Sequence, residues 1–194
     1  MNTKITKLIQ HLTRLPGIGP RQATRLALAM ADWDNDELRE FGDAVSNIKN
    51  GPLFCGQCFN FADGELCSIC SSSKRDRTRI AVVEKITDLR SMEKTGAYDG
   101  VYHVLGGVLQ PGNKEKIKTE ELFQRVASLP NPSLAEIIIA TNPNTYGETT
   151  ALYIREKLAP LGIRITRLAQ GLSTGSSIEY SDETTLAHAL KHRR

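Results

Sequence analysis

Four cysteines, the entire cysteine complement of this 194-residue chain, fall in one short stretch as Cys55-Gly-Gln-Cys58 and Cys67-Ser-Ile-Cys70. Each Cys-x-x-Cys folds as a knuckle that presents two thiolates from one turn, and two knuckles supply the four sulfur ligands of a closed tetrahedral Zn²⁺ site. No coordination position stays open for a substrate, so the expected cofactor is one structural Zn²⁺ per chain. The competing reading is a pair of disulfides or redox motifs. Disulfide frameworks belong to small secreted domains, whereas the opening Met1-Asn-Thr-Lys-Ile-Thr-Lys7 leads into a polar amphipathic segment rather than a leader. A reducing cytoplasm is the expected compartment.

A second group of residues could hold Mg²⁺. Glu84 directly follows the apolar run Ile80–Val83, Gly106-Gly107 follows Val101–Leu105, and Thr141-Asn-Pro-Asn-Thr-Tyr-Gly-Glu148 follows Glu136–Ala140. This layout is similar to the Toprim domain of topoisomerases, primases and some nucleases. There a glutamate after the first strand works with an Asp-x-Asp-x-Glu-Gly-Glu run to hold Mg²⁺ for phosphoryl transfer. Here Asn142 and Asn144 stand at the two aspartate positions and Tyr146 at the first glutamate, which leaves Glu84 and Glu148. Neutral amides do not offset the charge of a divalent cation. The expectation is a catalytically silent Toprim fold, with Glu84 acting as a weak Mg²⁺ ligand, a surface carboxylate or a cap on the following helix.

The third candidate is a phosphate grip. Residues 1–30 carry Lys4, Lys7, Arg14, Arg21 and Arg25 and no acid, while Asp32, Asp34, Asp36, Glu37, Glu40 and Asp43 follow at once. Ile5, Leu8, Ile9 and Leu12 keep helical spacing, Leu15-Pro-Gly17-Ile18-Gly19-Pro20 breaks it, and Ala23, Leu26, Ala27 and Met30 restore it. Gly17 and Gly19 are expected to take positive φ around an apolar plug, Ile18, and Pro20 to open the second helix. That helix then presents backbone N–H groups to an anion, flanked by Arg21 and Arg25 on one face and by Arg14 and Lys7. The order resembles the helix-hairpin-helix motif, which grips DNA backbone without reading sequence. An ordinary αα-hairpin is its bland counterpart.

Two other patterns carry no chemistry. Gly107-Val-Leu-Gln-Pro-Gly112-Asn-Lys114 imitates a P-loop but lacks the Gly-Lys-Ser/Thr ending. His11, His103, His188 and His192 are scattered and pair with no nucleophile, so they read as structural or surface residues.

The elements that must position these groups follow from periodicity. Asp34 to Ile48 reads as a helix with an Asp34/Glu37 capping box and a Trp33–Leu38 staple, its stripe Leu38, Phe41, Val45 and Ile48 packed on the hairpin and Trp33 in the core. Strands are expected at Ile80–Val83, Val101–Leu105, Glu136–Ala140 and Ile163–Leu168, with helices at Glu120–Ala127 and Thr149–Leu158, the latter turning Leu152, Ile154 and Leu158 toward the sheet. The alternation implies a mostly parallel sheet covered on both faces, with function at the carboxyl ends of its strands. A 40% hydrophobic content supports a core, no apolar run approaches membrane-span length, and a net charge of +3 is mildly basic.

The fold class is therefore α+β multidomain: a helix-hairpin-helix domain (1–53), a four-cysteine zinc finger (54–78), an α/β Toprim domain with a mostly parallel sheet (79–167) and a short C-terminal segment (168–194), whose oligomerisation role is implied only by family resemblance. This order, with Val82-Val83-Glu84, Tyr102-His-Val-Leu-Gly-Gly107, Ala140-Thr-Asn-Pro143 and the run from Gly147-Glu148 through Tyr153-Ile154, resembles the bacterial RecR family of recombination mediators over almost the whole chain. The resemblance implies a non-enzymatic, sequence-independent DNA-binding protein of the bacterial cytoplasm and nucleoid. It implies a ring-like homotetramer that encircles DNA and acts with RecO and RecF to load RecA in recombinational repair. RecO is expected to dock on the Toprim face, where Glu84 and Glu148 match. Tyr146, Gln170 and Ser177 depart from the family pattern. Two other readings stay open, a Mg²⁺-dependent Toprim nuclease or primase-like enzyme and a zinc-ribbon RNA-binding module.

Overall fold

The computed structural model describes residues 3–51, 53–113, 116–191 and 193; Lys114 of the P-loop-like stretch and His192 lie outside them. The chain divides into two units, 1–50 and 51–194.

The first unit is helical. Helix α1 (Thr3–Leu12) and helix α2 (Pro20–Ala31) form a hairpin whose buried centre is Leu12, Ala23 and Ala27, with Ile5, Leu8, Ile9, Ile18 and Leu26 packed around it. Ile18 is the expected plug. Only Gly17 adopts the left-handed conformation, at φ +80°, whereas Gly19 is extended at φ −81° and serves as N-cap of α2 with Pro20 behind it. Thus one positive-φ residue, not two, reverses the chain, because the extended Gly19 already aims Pro20 into helical geometry.

Helix α3 (Asn35–Ser46) starts as expected: the Asp34 carboxylate accepts from the Asp36 and Glu37 N–H groups, and Glu37 accepts from the Asp34 N–H. Its packing differs from expectation. None of its residues is buried, and Leu38, Phe41, Val45 and Ile48 stay 39–62% exposed. Trp33 is also exposed, and its ring meets Phe41 edge-on at 5.7 Å instead of joining a core. The hairpin fills its own interior with Leu12, Ala23, Ala27 and the aliphatic residues around them, and the α3 stripe takes no part in that cluster.

The second unit holds one four-stranded sheet, all parallel, in the order β2-β1-β3-β4: β1 (Asp76–Val83), β2 (Gly100–Val104), β3 (Glu136–Ala140) and β4 (Arg164–Arg167). Strand β1 begins four residues before its apolar run. Its charged half is fixed by Arg79 paired with Asp76 and Asp99, and by the Tyr98 hydroxyl donating to the Arg79 carbonyl at 2.9 Å.

Alternation along β1 sends Ile80 and Val82 to one face and Ala81 and Val83 to the other. The first face packs on helix α6 (Thr119–Ala127) through Leu122 and Val126, and on helix α7 (Thr145–Leu158) through Ala151, Ile154 and Leu158. The second packs on helix α5 (Ile86–Glu93) through Leu89, and on Cys55, Cys58, Cys67, Cys70 and Ile69. The short helix α4 (Ser68–Ser71) lies within the second knuckle, and helix α8 (Glu183–Lys191) closes the chain.

Helix α7 begins at Thr145, not Thr149, because the Asn144 side chain accepts from the Gly147 N–H at 2.9 Å and caps it. The inward set is then Gly147, Thr150, Ala151, Ile154 and Leu158, and Leu152, expected inside, is 54% exposed. Accordingly, Ile154→Ala should lower stability by about 2–5 kcal/mol and Leu152→Ala should change it by less than about 0.5 kcal/mol, measured by urea unfolding.

Candidate functional site

The four Sγ atoms of Cys55, Cys58, Cys67 and Cys70 all lie within 4.8 Å of one another and are buried, with Cys58 and Cys67 Sγ 3.5 Å apart. Tetrahedral Zn–S bonds of about 2.3 Å place sulfurs about 3.8 Å apart, so the set fits Zn²⁺, and no pair is at disulfide distance. The thiols themselves point to a cation. The neighbouring Cys70 and then burial push Cys58 far up, and burial raises Cys67 as well. Burial also acts upward on Cys55, but the backbone N–H groups of Cys67, Cys58 and Gln57 outweigh it and bring that thiol down to about 7. Four buried thiol sulfurs this close together form a donor set suited to a bound cation.

Local hydrogen bonds shape the knuckles. Cys55 N–H donates to the Asn60 carbonyl at 2.7 Å, Gly56 N–H to Glu65 at 2.9 Å, and Ser71 N–H to Cys67 at 3.0 Å. Phe59 takes φ +61° to close the first turn. Its ring then meets His103 edge-on at 5.4 Å and lies under the Lys118 ammonium at 5.2 Å. The sheet holds the knuckles directly, with Val104 N–H donating to the Cys58 carbonyl at 2.9 Å and Arg77 to Cys70 at 2.8 Å, while Arg125 of α6 bridges the Gln57 carbonyl (3.4 Å) and the Tyr102 carbonyl of β2 (2.6 Å). Sequence reading misses both arginines, since no spacing links them to the cysteines.

At the carboxyl ends of the strands, Glu84 is neither a surface carboxylate nor a cap. It is 5% exposed, and its two oxygens accept from the Asn142 backbone N–H (2.6 Å) and side-chain amide (2.8 Å). Lys85 caps α5 instead, with its N–H donating to Asp88 at 2.9 Å. Asn142 is thus a donor where an aspartate would repel Glu84, and Asn144 caps α7. Gly147 is compulsory here, because a Cβ would lie 2.0 Å from the Asn142 carbonyl oxygen. Glu148, in the first turn of α7, pairs with Arg167 from the end of β4, and that guanidinium holds its carboxyl below the usual range. The two acids expected to share a cation therefore have separate partners within the protein. Tyr146 is half-exposed and lines a cavity of about 430 Å³ with Glu84, Lys85, Gln110 and Asn113.

In the helical unit, Lys7 on α1, Arg14 in the turn, and Arg21 and Arg25 on α2 are all exposed. Gly19 has no side chain to cap α2, so although Pro20 supplies no N–H, no side-chain cap occupies the other first-turn donors. Of the histidines, His11 is exposed and His103 is enclosed, its Nε2 donating to the Lys118 carbonyl at 2.7 Å.

Four family profiles match in chain order: the RecR helix-hairpin-helix over residues 5–49, the RecR four-cysteine zinc finger domain over 54–72, the Toprim domain over 78–169 and the RecR C-terminal region over 171–194. The chain is similar to recombination protein RecR of Carboxydothermus hydrogenoformans, 43% identical over 98% of this chain and 96% of that protein. It is also 44% identical to the proteins of that name from Dehalococcoides mccartyi and Chloroflexus aurantiacus, over 98% of this chain and 93% of each. The match to the four-cysteine zinc finger thus assigns the buried cysteines to one structural zinc.

Because the cysteines are part of the sheet's own core, stripping the metal with a chelator, or Cys67→Ser, should melt the 51–194 unit at lower temperature and expose apolar surface to a fluorescent dye. A metal-free protein with unchanged melting would contradict this. His103 gives a pH prediction. Burial lowers its pKa from 6.5 to about 4, so its contribution is fully present above pH 6.5 and is lost as pH falls toward 4, on the order of 3 kcal/mol in all. Between pH 6.5 and 5, the stability slope of His103→Gln should be shallower by about one proton, read from urea midpoints with zinc in excess.

Proposed function

The chain belongs to the RecR family of recombination proteins, and from that membership we propose that it is a non-enzymatic DNA-binding recombination mediator. In this reading several copies, as a ring-like tetramer, encircle DNA in the bacterial cytoplasm and nucleoid. They act with RecO and RecF to load RecA onto single strands during recombinational repair. The observation that carries the reading is the α1–α2 hairpin: Lys7 on α1, Arg14 in the turn and Arg21 and Arg25 on α2 are exposed, and α2 starts without a side-chain cap, in a segment without acids. Such a surface suits phosphate rather than base edges.

Other features support the remaining parts. Apolar side chains stay uncovered on α3 and at Ile178, Tyr180 and Leu190 near the C-terminus, as expected of surfaces that assemble. The strand-end face with Glu84, Glu148 and half-exposed Tyr146 is the proposed RecO docking surface. A Mg²⁺-dependent Toprim enzyme is the weaker reading, because Asn142 and Arg167 already satisfy the two carboxylates.

Binding to duplexes of unrelated sequence, followed by fluorescence anisotropy across a salt series, tests the hairpin. Arg21→Ala and Arg25→Ala should each weaken all duplexes alike and lower the salt slope by about one. Unchanged affinity, or a new sequence preference, would overturn the backbone-contact reading.

A further inference from the structure

We propose that Arg125 supplies the counter-charge of the zinc centre, so that metal retention by the two knuckles depends on a guanidinium delivered by α6, far along the chain. Four thiolates around one Zn²⁺ carry a net double negative charge, which is costly in a buried place without a compensating cation. The knuckle segment cannot provide one. Residues 51–73 contain no lysine or arginine and add two acids, Asp63 and Glu65.

Arg125 has the complementary problem. It is half-buried, it makes no ion pair with a carboxylate among the described residues, and its Nη1 donates to the backbone carbonyls of Gln57 and Tyr102. Gln57 lies between the two cysteines of the first knuckle, so this 3.4 Å bond brings the guanidinium to the backbone of that knuckle. Burial pulls the Arg125 pKa down, while the thiols of Cys70, Cys58 and Cys55 act in the opposite direction. Arg77 approaches the second knuckle at the Cys70 carbonyl, but its exposure to water makes it the lesser partner. Lys118 is committed to Glu121 at 2.8 Å and to the Phe59 ring. An unmatched anion and an unmatched cation therefore meet at one place.

The test compares Arg125→Gln, which keeps an amide donor without charge, with Arg125→Lys, which keeps the charge, in the full zinc-loaded chain. Arg125 lines a cavity of about 440 Å³ together with Gln57 and Arg77, so either side chain enters existing space. Zinc transfer to a chromogenic chelator should be about tenfold or more faster in Arg125→Gln and close to wild type in Arg125→Lys. The thiolate-to-cobalt absorption of the Co²⁺-substituted protein should shift in the Gln variant alone. Wild-type zinc retention in Arg125→Gln, or equal loss in both variants, would overturn the assignment. A double variant removes dependence on the folding of Arg125→Gln. Cys70→His lowers the charge of the centre by one, so Arg125→Gln should accelerate zinc loss less, or fold where the single variant does not, in that background. An undiminished effect there would overturn the proposal.

Discussion

A parallel sheet has two faces to cover, and here only one is covered by a pair of long helices. Strand β1 turns Ile80 and Val82 toward α6 and α7 and Ala81 and Val83 toward the knuckles and α5. On the second face the cysteine cluster packs directly with Ala81, Val83, Tyr102 and Val104. The zinc ligands thereby take the place that apolar side chains of a crossover helix would otherwise fill in a doubly covered sheet. The metal is not a clip on a linker but part of the wall of the core. This explains why β2 and β1 each reach a knuckle carbonyl, through Val104 N–H and Arg77, and why Phe59 accepts an unfavourable φ to keep its ring against His103.

The strand ends follow the same economy of partners. In a metal-holding site, carboxylates face each other and a cation resolves the repulsion. Exchanging an aspartate for Asn142 changes an acceptor into a donor, and Glu84 then closes on the protein itself. Arg167 does the equivalent for Glu148 with a covalently held positive charge. The loop becomes rigid without an ion. Asn144 caps α7 and Gly147 packs against the Asn142 carbonyl, so the sequence differences from the catalytic pattern are accounted for by a different set of internal bonds.

Legibility in the sequence tracks how local the determining interaction is. The cysteine spacing, the Asp34–Glu37 capping box and the Pro20 helix start depend on neighbours within a few residues, and each is readable. The buried strand β3 announces itself as an unbroken run, Glu136–Ala140, bounded as expected. What is lost depends on partners far along the chain. Periodicity misassigns the inward face of α7 at Leu152 because that face is selected by packing of Ala151, Ile154 and Leu158 into a core with Ile80 and Val82, far along the chain. Arg125 and Gln57 are 68 apart, and nothing in either segment signals the other. The α3 stripe is apolar as its spacing indicates, but periodicity does not say what covers it.

That uncovered stripe bears on how a weakly basic protein holds DNA. On the proposed reading, one hairpin offers four cationic side chains and a single helix start, a contact whose affinity collapses with rising salt. The net charge of +3 adds little long-range attraction, because acids follow immediately after residue 30. A single copy is therefore a poor clamp. In that reading the exposed apolar surfaces on α3 and near the C-terminus serve association, which turns the second and later hairpins into intramolecular contacts at high effective concentration. The proposed clamp thus draws its affinity from the number of hairpins held around one duplex. None of them needs to read a base, which matches the absence of sequence-reading side chains in the turn Leu15–Pro20 and frees the strand-end face for a protein partner.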